Sequence, residues 1–201
     1  MKMIIGTKNK AKLEEWSSFL SKLLEVEGVS DDLEEPQETG QTIKENARIK
    51  AIFYAKKLNS FVLSDDGGFE IDALGGFPGV KSKRIYQDEK EGSDAQIQQF
   101  ILKKMKDITD EQRTARQKTA IAISDPLGNI IYEDEESLDG IVLKKLGPIV
   151  IKGYPYRSLL FLPTSGKTYA EFSDQDHQKF NHKKKMSRRL IKFLKENHVR
   201  H

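Results

Sequence analysis

Near its start the chain carries an apolar run, Met3-Ile4-Ile5, that passes through Gly6 into the polar triplet Thr7-Lys8-Asn9. Lys2 to Gly6 reads as a short buried strand, and the triplet as a turn able to cap a helix beginning near Lys10. Beyond it Leu13, Trp16, Phe19, Leu20 and Leu23 recur at helical spacing and give that helix one apolar face. Strand, polar turn and helix in this order are the layout of an α/β anion site. The N–H groups of the turn and the N-terminus of the helix point at the same place.

The pattern repeats once and then changes. An acidic loop, Asp31 to Gln37, precedes a second helix expected over Thr42 to Leu58, and Ser60 to Leu63 reads as another short buried strand ending in Asp65-Asp66-Gly67-Gly68. Phe69 to Leu74 alternates enough for a separate strand, and Gly75 to Gly79 reads as loop. A helix is expected from Ser93 to Met105. Thr119 to Ser124 and Ile130 to Glu136 flank a hairpin turn, Asp125-Pro126-Leu127-Gly128-Asn129. Gly140 to Leu143 and Leu159 to Leu162 read as further strands. Lys179 to Asn197 reads as one closing basic helix, with Met186, Leu190, Phe193 and Leu194 on its apolar side. The expectation is α/β at both ends with a β-rich middle, in one domain spanning residues 1–201.

Composition narrows the function classes. The chain of 201 residues has a net charge of only +3, so the whole surface does not advertise nucleic-acid binding. It has no cysteine, which removes disulfides, thiolate metal sites and thiol nucleophiles together. No apolar stretch reaches the ~20 residues of a membrane span, and the N-terminal run is too short for a signal peptide's core. A cytoplasmic protein is the expectation. The P-loop motif is absent. The four histidines, His177, His182, His198 and His201, are assigned no function.

Four segments carry residues suited to phosphate chemistry. Thr7, Asn9 and Lys12 could grip phosphate oxygens, or could be no more than a helix cap. In Glu38 to Ala51, Thr42 and Glu45 have capping-box spacing, while Lys50 sits among apolar neighbours, partly buried or snorkelling. Asp65 and Asp66 follow a hydrophobic strand; a magnesium ion would explain two such carboxylates, and an Asp-Asp-Gly-Gly turn is the alternative. Lys183 to Arg189 is a basic helical run that could meet a nucleotide or simply face solvent.

Together these segments resemble the inosine triphosphate pyrophosphatase family. Thr7-Lys8-Asn9-Lys10-Ala11-Lys12 is similar to its Thr-x-Asn-x-x-Lys, and Glu38 to Ala51 to its Glu-Thr-Gly-x-Thr-Phe-x-Glu-Asn-Ala-x-x-Lys-Ala. Ser64 to Ser82 resembles Asp-Asp-Ser-Gly through Pro-Gly-Val-x-Ser, and Pro163 to Glu171 resembles Pro-x-x-Gly-x-Thr-x-Ala-Glu. The resemblance implies an elongated mixed-sheet α/β fold of two lobes with the site in the cleft between them, usually as a homodimer. It implies a hydrolase that cuts nucleoside triphosphates to monophosphate and pyrophosphate. Thr7, Asn9, Lys12 and Lys50 would hold the triphosphate, and Glu38 and Asp66 would bind Mg2+. Asp66 would also accept the proton of the attacking water, with Asp65 in support. Lys183 and Arg189 would contact the nucleotide from the last helix, and Gly67, Tyr154 and Arg188 occupy further substrate-binding positions.

The chain departs from the pattern in the base-reading half. Gly67 stands in place of serine, Lys152-Gly153-Tyr154-Pro155 in place of Phe-Gly-[Tyr/Trp]-Asp, and Arg188 in place of histidine. Tyr156 and Phe161 are alternative stacking partners for a base. The leading reading is hydrolysis of deaminated purine nucleotides of the ITP and XTP type. The same chemistry on another modified nucleotide, a nucleotide-binding protein without turnover, and nucleic-acid binding through the basic helix are the competing readings.

Overall fold

The computed structural model describes residues 2–82, 85 and 92–197. In chain order the elements are β1 (Lys2–Ile5), α1 (Lys10–Leu20), β2 (Glu25–Gly28), α2 (Ile43–Leu58), β3 (Val62–Ile71), β4 (Pro78–Gly79), α3 (Asp94–Lys104), β5 (Thr114–Ser124), β6 (Ile130–Val142), β7 (Leu160–Leu162), β8 (Lys167–Thr168), α4 (Asp174–Phe180) and α5 (His182–Glu196). Among the described residues the strands form one sheet in the order β2-β1-β3-β5-β6-β7-β8, with β4 on β3. β1 runs parallel to β2 and β3, whereas the β3–β4, β6–β7 and β7–β8 pairs are antiparallel. The fold is mixed α/β with a mixed sheet.

Two compact units divide the chain: Met1–Asp66 with Thr119–Glu136 and His182–His201, and Gly67–Lys118 with Ser137–Asn181. In the first, the alternation of the strands decides which helix each residue meets. Met3, Ile5 and Leu63 join a core with Trp16 and Leu20 of α1 and Met186, Leu190 and Leu194 of α5. Ile4 and Val62 belong to a second core with Tyr54 and Ala55 of α2. Emptying the first core at Trp16, which is fully buried, would cost about 3–5 kcal/mol. In the second unit Phe69, Ile71, Ile97, Ile101, Leu138, Leu159, Leu160 and Tyr169 share one core.

Helix starts follow their caps. Asn9 Oδ1 accepts from the N–H groups of Ala11 and Lys12, and Thr42 and Ser93 each form a capping box with Glu45 and Gln96. These satisfy N–H groups that a helix N-terminus otherwise leaves orphaned.

Several expectations are corrected. Asp65-Asp66-Gly67-Gly68 is not a turn: β3 runs through it without a break, joining the two strands expected on either side. Neither Gly67 nor Gly68 has a positive φ, so their backbones extend like their neighbours. The strands around the hairpin are also longer than expected, because β5 begins at Thr114 and β6 continues to Val142. The closing helix is two helices. Asn181 lies between α4 and α5 with φ −63° and ψ 116°, an extended conformation that a continuous helix does not contain. The short β2, whose residues are only half-buried or exposed, gives no hydrophobic signal in the sequence. His198 and His201 lie outside the described residues.

Candidate functional site

The site residues of the first unit are distributed by strand alternation within β3. Because successive side chains of a strand point to opposite faces, Asp65 shares the face of Leu63 and Asp66 that of Val62. Asp65 therefore meets α1 and α5. Lys12 Nζ lies 3.1 Å from its Oδ1, and Lys183 Nζ donates to its Oδ2 at 3.3 Å and to Glu15 Oε2 at 2.9 Å. Asp66 meets α2, where Lys50 Nζ donates to its Oδ1 at 3.0 Å and Asn46 Nδ2 to its Oδ2 at 3.2 Å. The same Lys50 ammonium donates to Glu38 Oε1 at 2.8 Å.

This arrangement answers the cost of placing two adjacent carboxylates inside a buried strand. Asp65 is 1% exposed, and a lone charge there would cost several kcal/mol. Burial alone would raise its pKa, but the ammonium groups of Lys12, Lys183 and Lys50 outweigh it and hold the carboxyl well below the usual carboxylate range. Lys50 behaves conversely. Burial lowers it, and Asp66, Glu38 and Asp65 more than compensate, leaving it above an ordinary lysine. Lys12 goes the other way: burial dominates, Asp65 opposes it, and the positive charge of Lys50 adds to it, so its pKa falls. Its charge is thus held against burial chiefly by Asp65, its ion-pair partner at 3.1 Å.

The loop before α2 delivers Glu38. The N–H groups of Gln41 and Thr42 donate to Glu45 Oε2 at 2.6 and 3.2 Å, and that of Gly40 donates to Asn46 Oδ1 at 2.8 Å. Turn and strand meet closely on the other side. A Cβ on Gly6 would come within 2.2 Å of Ser64 Oγ, so only glycine lets the Thr7–Asn9 turn begin this near β3. Within the turn, the Asn9 N–H donates to Thr7 Oγ1 at 3.2 Å, and the Asn9 side-chain oxygen is committed to the helix cap.

Thus Lys12, Asp65, Lys183 and Glu15 form one set of ion pairs and Glu38, Lys50 and Asp66 a second, on opposite faces of β3. Arg189 joins a different group: it donates to Asp134 at 2.7 and 3.0 Å and to Glu136 at 2.9 Å, both on β6. Arg188 is exposed on α5. Glu15, Asn46 and His182 are residues that sequence reasoning missed. Glu15 lies one turn from Lys12 on α1, and Asn46 one turn from Lys50 on α2, so helical spacing was the available signal. His182 opens α5, is 1% exposed and has its Nε2 2.8 Å from Thr119 Oγ1; its signal was only its place beside Lys183.

In the second unit, the segment that departs from the family pattern is held by α3. Asp94 Oδ2 accepts from the Gly153 N–H at 2.6 Å, and Gln98 Nε2 donates to the Pro155 carbonyl and to Ser158 Oγ, both at 3.0 Å. The Arg157 guanidinium stacks 3.7 Å from the Tyr154 ring centre and 4.6 Å from that of Tyr169. Tyr156 is already occupied: its ring stacks on Phe69 at 4.4 Å and its hydroxyl donates to the Ser82 carbonyl. It is not available to stack on a base. Among the described residues Gly67 has room for a side chain, since a Cβ would meet only the Lys118 carbonyl at 3.4 Å and Gln117 Nε2 at 3.8 Å. The late Thr-x-x-Glu of the motif is structural, with Glu171 Oε2 accepting from the Thr168 N–H at 2.9 Å and Oγ1 at 2.7 Å.

The Ham1 family model matches residues 3–193. The chain belongs to the Ham1 family. Among its Ham1-family relatives, the dITP/XTP pyrophosphatase of Bacillus subtilis is 35% identical over 197 residues, covering 95% of this chain and 96% of the relative. The protein of the same name from Geobacillus kaustophilus is 34% identical over 191 residues, covering 94% and 91%. Solved Ham1 structures agree. That of the Staphylococcus aureus Ham1 protein superposes with a TM-score of 0.82 at 26% identity, covering 98% of this chain and 100% of that one. A HAM1 protein from Coxiella burnetii gives 0.84 at 26% identity, covering 98% and 99%. The family read from the motifs and the family matched along the chain agree.

Proposed function

We propose that this Ham1-family chain hydrolyses nucleoside triphosphates to a monophosphate and pyrophosphate, with deaminated purine nucleotides of the XTP and dITP type as substrates. The observation that carries the reading is the pair of ion clusters on opposite faces of β3, Asp65 with Lys12 and Lys183, and Asp66 with Lys50 and Glu38. A buried ammonium whose charge is disfavoured by burial, as that of Lys12 is, gains from a polyanionic ligand. Lys12 and Lys50 would take phosphate oxygens, with the N–H groups of the Thr7–Asn9 turn beside them. Asp66 would accept the proton of a water whose oxygen attacks the α-phosphorus, while the bond to the bridging oxygen breaks and pyrophosphate leaves.

Among the described residues no group of three or more His, Cys, Asp or Glu side chains is gathered for a metal. Glu38 and Asp66 nonetheless offer hard oxygen donors that converge on one ammonium, a donor set suited to Mg2+ completed by phosphate and water oxygens. Bound there, Mg2+ would neutralise phosphate charge and acidify a coordinated water. No helix among the described residues is long and apolar enough to cross a membrane. A cytoplasmic homodimer remains part of the proposal.

The test is pyrophosphate release from a panel of inosine, xanthosine, guanosine, adenosine and pyrimidine triphosphates, with Mg2+ and with a chelator, beside Asp66→Asn. XTP, ITP or dITP should be cleaved best, with chelation and Asp66→Asn each stopping turnover. Another preferred nucleotide would keep the chemistry and overturn the substrate. A folded protein with no turnover of any nucleotide would overturn the enzyme reading.

A further inference from the structure

We propose that Asn46 is a positioning residue for hydrolysis: its carboxamide joins the loop that carries Glu38 to Asp66 and fixes which oxygen of Asp66 is left to face the chemistry. The inference rests on the reading of Asp66 as the carboxylate that accepts the water's proton.

Asn46 is 2% exposed and lies one helical turn before Lys50 on α2. Its Oδ1 accepts from the Gly40 N–H at 2.8 Å, and its Nδ2 donates to Asp66 Oδ2 at 3.2 Å. The two ends of a carboxamide are chemically different, and each neighbour accepts only one of them. The Gly40 N–H can only donate, and an ionised carboxylate can only accept. The orientation of the amide is therefore dictated, and so is the residue type. An aspartate at 46 would still receive the Gly40 N–H but would set a second carboxylate against Asp66. A leucine would take away the acceptor of the Gly40 N–H and the donor to Asp66 Oδ2.

The consequence for Asp66 is a division of labour between its oxygens. Oδ2 is tied to Asn46, and Oδ1 is the atom shared with Lys50, which also holds Glu38. The consequence for Glu38 is register. A Cβ on Gly40 would come within 2.6 Å of Asn46 Oδ1 and 2.9 Å of the Asn46 nitrogen, so the loop is drawn in as close as a glycine allows. Gln41 and Thr42 are then fastened to Glu45, and Glu38 arrives at Lys50 from two residues upstream. One side chain thus sets the positions of both acidic groups on which the proposed chemistry depends, without itself touching substrate.

The experiment compares the wild type with Asn46→Asp, Asn46→Ala and Gly40→Ala. For each, circular dichroism checks folding, hydrogen exchange reads the Gly40 amide, and XTP hydrolysis gives kcat and KM. The assay uses saturating Mg2+ across about pH 7–9, and Asn46→Asp is read at the high end, where an introduced carboxylate carries most charge. Asn46→Asp keeps the acceptor for Gly40 and loses the donor to Asp66. It is expected to retain slow exchange at Gly40 while kcat falls about 10–100-fold, the usual loss when a partner orienting a site ligand is removed, and KM changes little. Asn46→Ala should lose both the protection and the rate. Gly40→Ala, which strains the same contact from the loop side, should show faster exchange and a lower kcat. A wild-type kcat in Asn46→Asp would overturn the proposal and leave Asn46 a structural latch. A rise in KM at unchanged kcat would overturn it too, as would undiminished kcat in Gly40→Ala with protection lost. A wild type that releases no pyrophosphate is a separate result: it defeats the functional reading, and with it the catalytic part of this one, before any variant is compared.

Discussion

The proposed phosphate half of the protein and the segment from Lys152 to Tyr169 are built from different interactions. The first is ionic. Three lysines and the carboxylates of Glu15, Glu38, Asp65 and Asp66 hold one another through side chains drawn from β3, α1, α2, α5 and a loop. The second is aromatic and backbone-mediated, with Arg157 stacked on Tyr154 and Tyr169, and with α3 gripping Gly153 and Pro155 by hydrogen bonds. Against the motifs of the family that the sequence resembles, the ionic half carries matching residues and the other half departs at several. An ionic cluster of this kind tolerates little change, because every deleted partner leaves a buried charge behind. A surface of rings and backbone contacts can be rebuilt with other side chains, so substrate preference can shift while the phosphate chemistry stays in place.

The contrast is open to direct attack. Removing the charge of Asp66 by Asn should produce the largest effect, a fall in kcat of about 10^2–10^4-fold with the fold intact, measured by pyrophosphate release. Asp65→Asn should act chiefly on stability. It strips Lys12 and Lys183 of a shared counter-ion, and urea unfolding should show a loss of about 3–5 kcal/mol. A stability change below about 1 kcal/mol would mean that water reaches these groups far more than their burial indicates.

Asp65 also predicts a pH dependence. Its folded pKa is depressed, so the stabilisation is present above the ordinary carboxylate value of about 4 and lost as pH falls through the lower folded value. Urea midpoints across that acidic window should fall more steeply for the wild type than for Asp65→Asn; parallel curves would remove Asp65 as the source.

In the other half, Tyr154→Ala should raise KM for the preferred nucleotide about tenfold with little change in kcat, as expected for the loss of one stacked ring. An unchanged KM would show that this ring does not meet the base. The smallest effect should come from Arg189→Ala. The Arg189 pairs with Asp134 and Glu136 are partly exposed, and unfolding should register a loss of no more than about 1 kcal/mol. A large loss of turnover instead would return Arg189 to the nucleotide site.

Much of this was legible in the chain order of residues. The β1–turn–α1 unit, the Thr42–Glu45 capping box and the family follow from periodicity, cap chemistry and ordered motifs, all of which are local signals. Asp-Asp-Gly-Gly misled because its composition is that of a turn, while the structure runs it straight through β3. The closing basic stretch misled in the same way, since charge content does not show where Asn181 interrupts the helix or that Lys183 turns inward to Glu15 and Asp65.

The sequence by itself determined the kinds of groups present and the local frames that carry them: adjacent carboxylates beside an apolar run, lysines on helices, and glycines at close approaches such as Gly6 and Gly40. Only the tertiary structure decided which group meets which. Partners such as Lys183 and Asp65 lie 118 positions apart. Their pairing depends on the alternating faces of β3 and on which helix covers each face, and no short-range pattern encodes either.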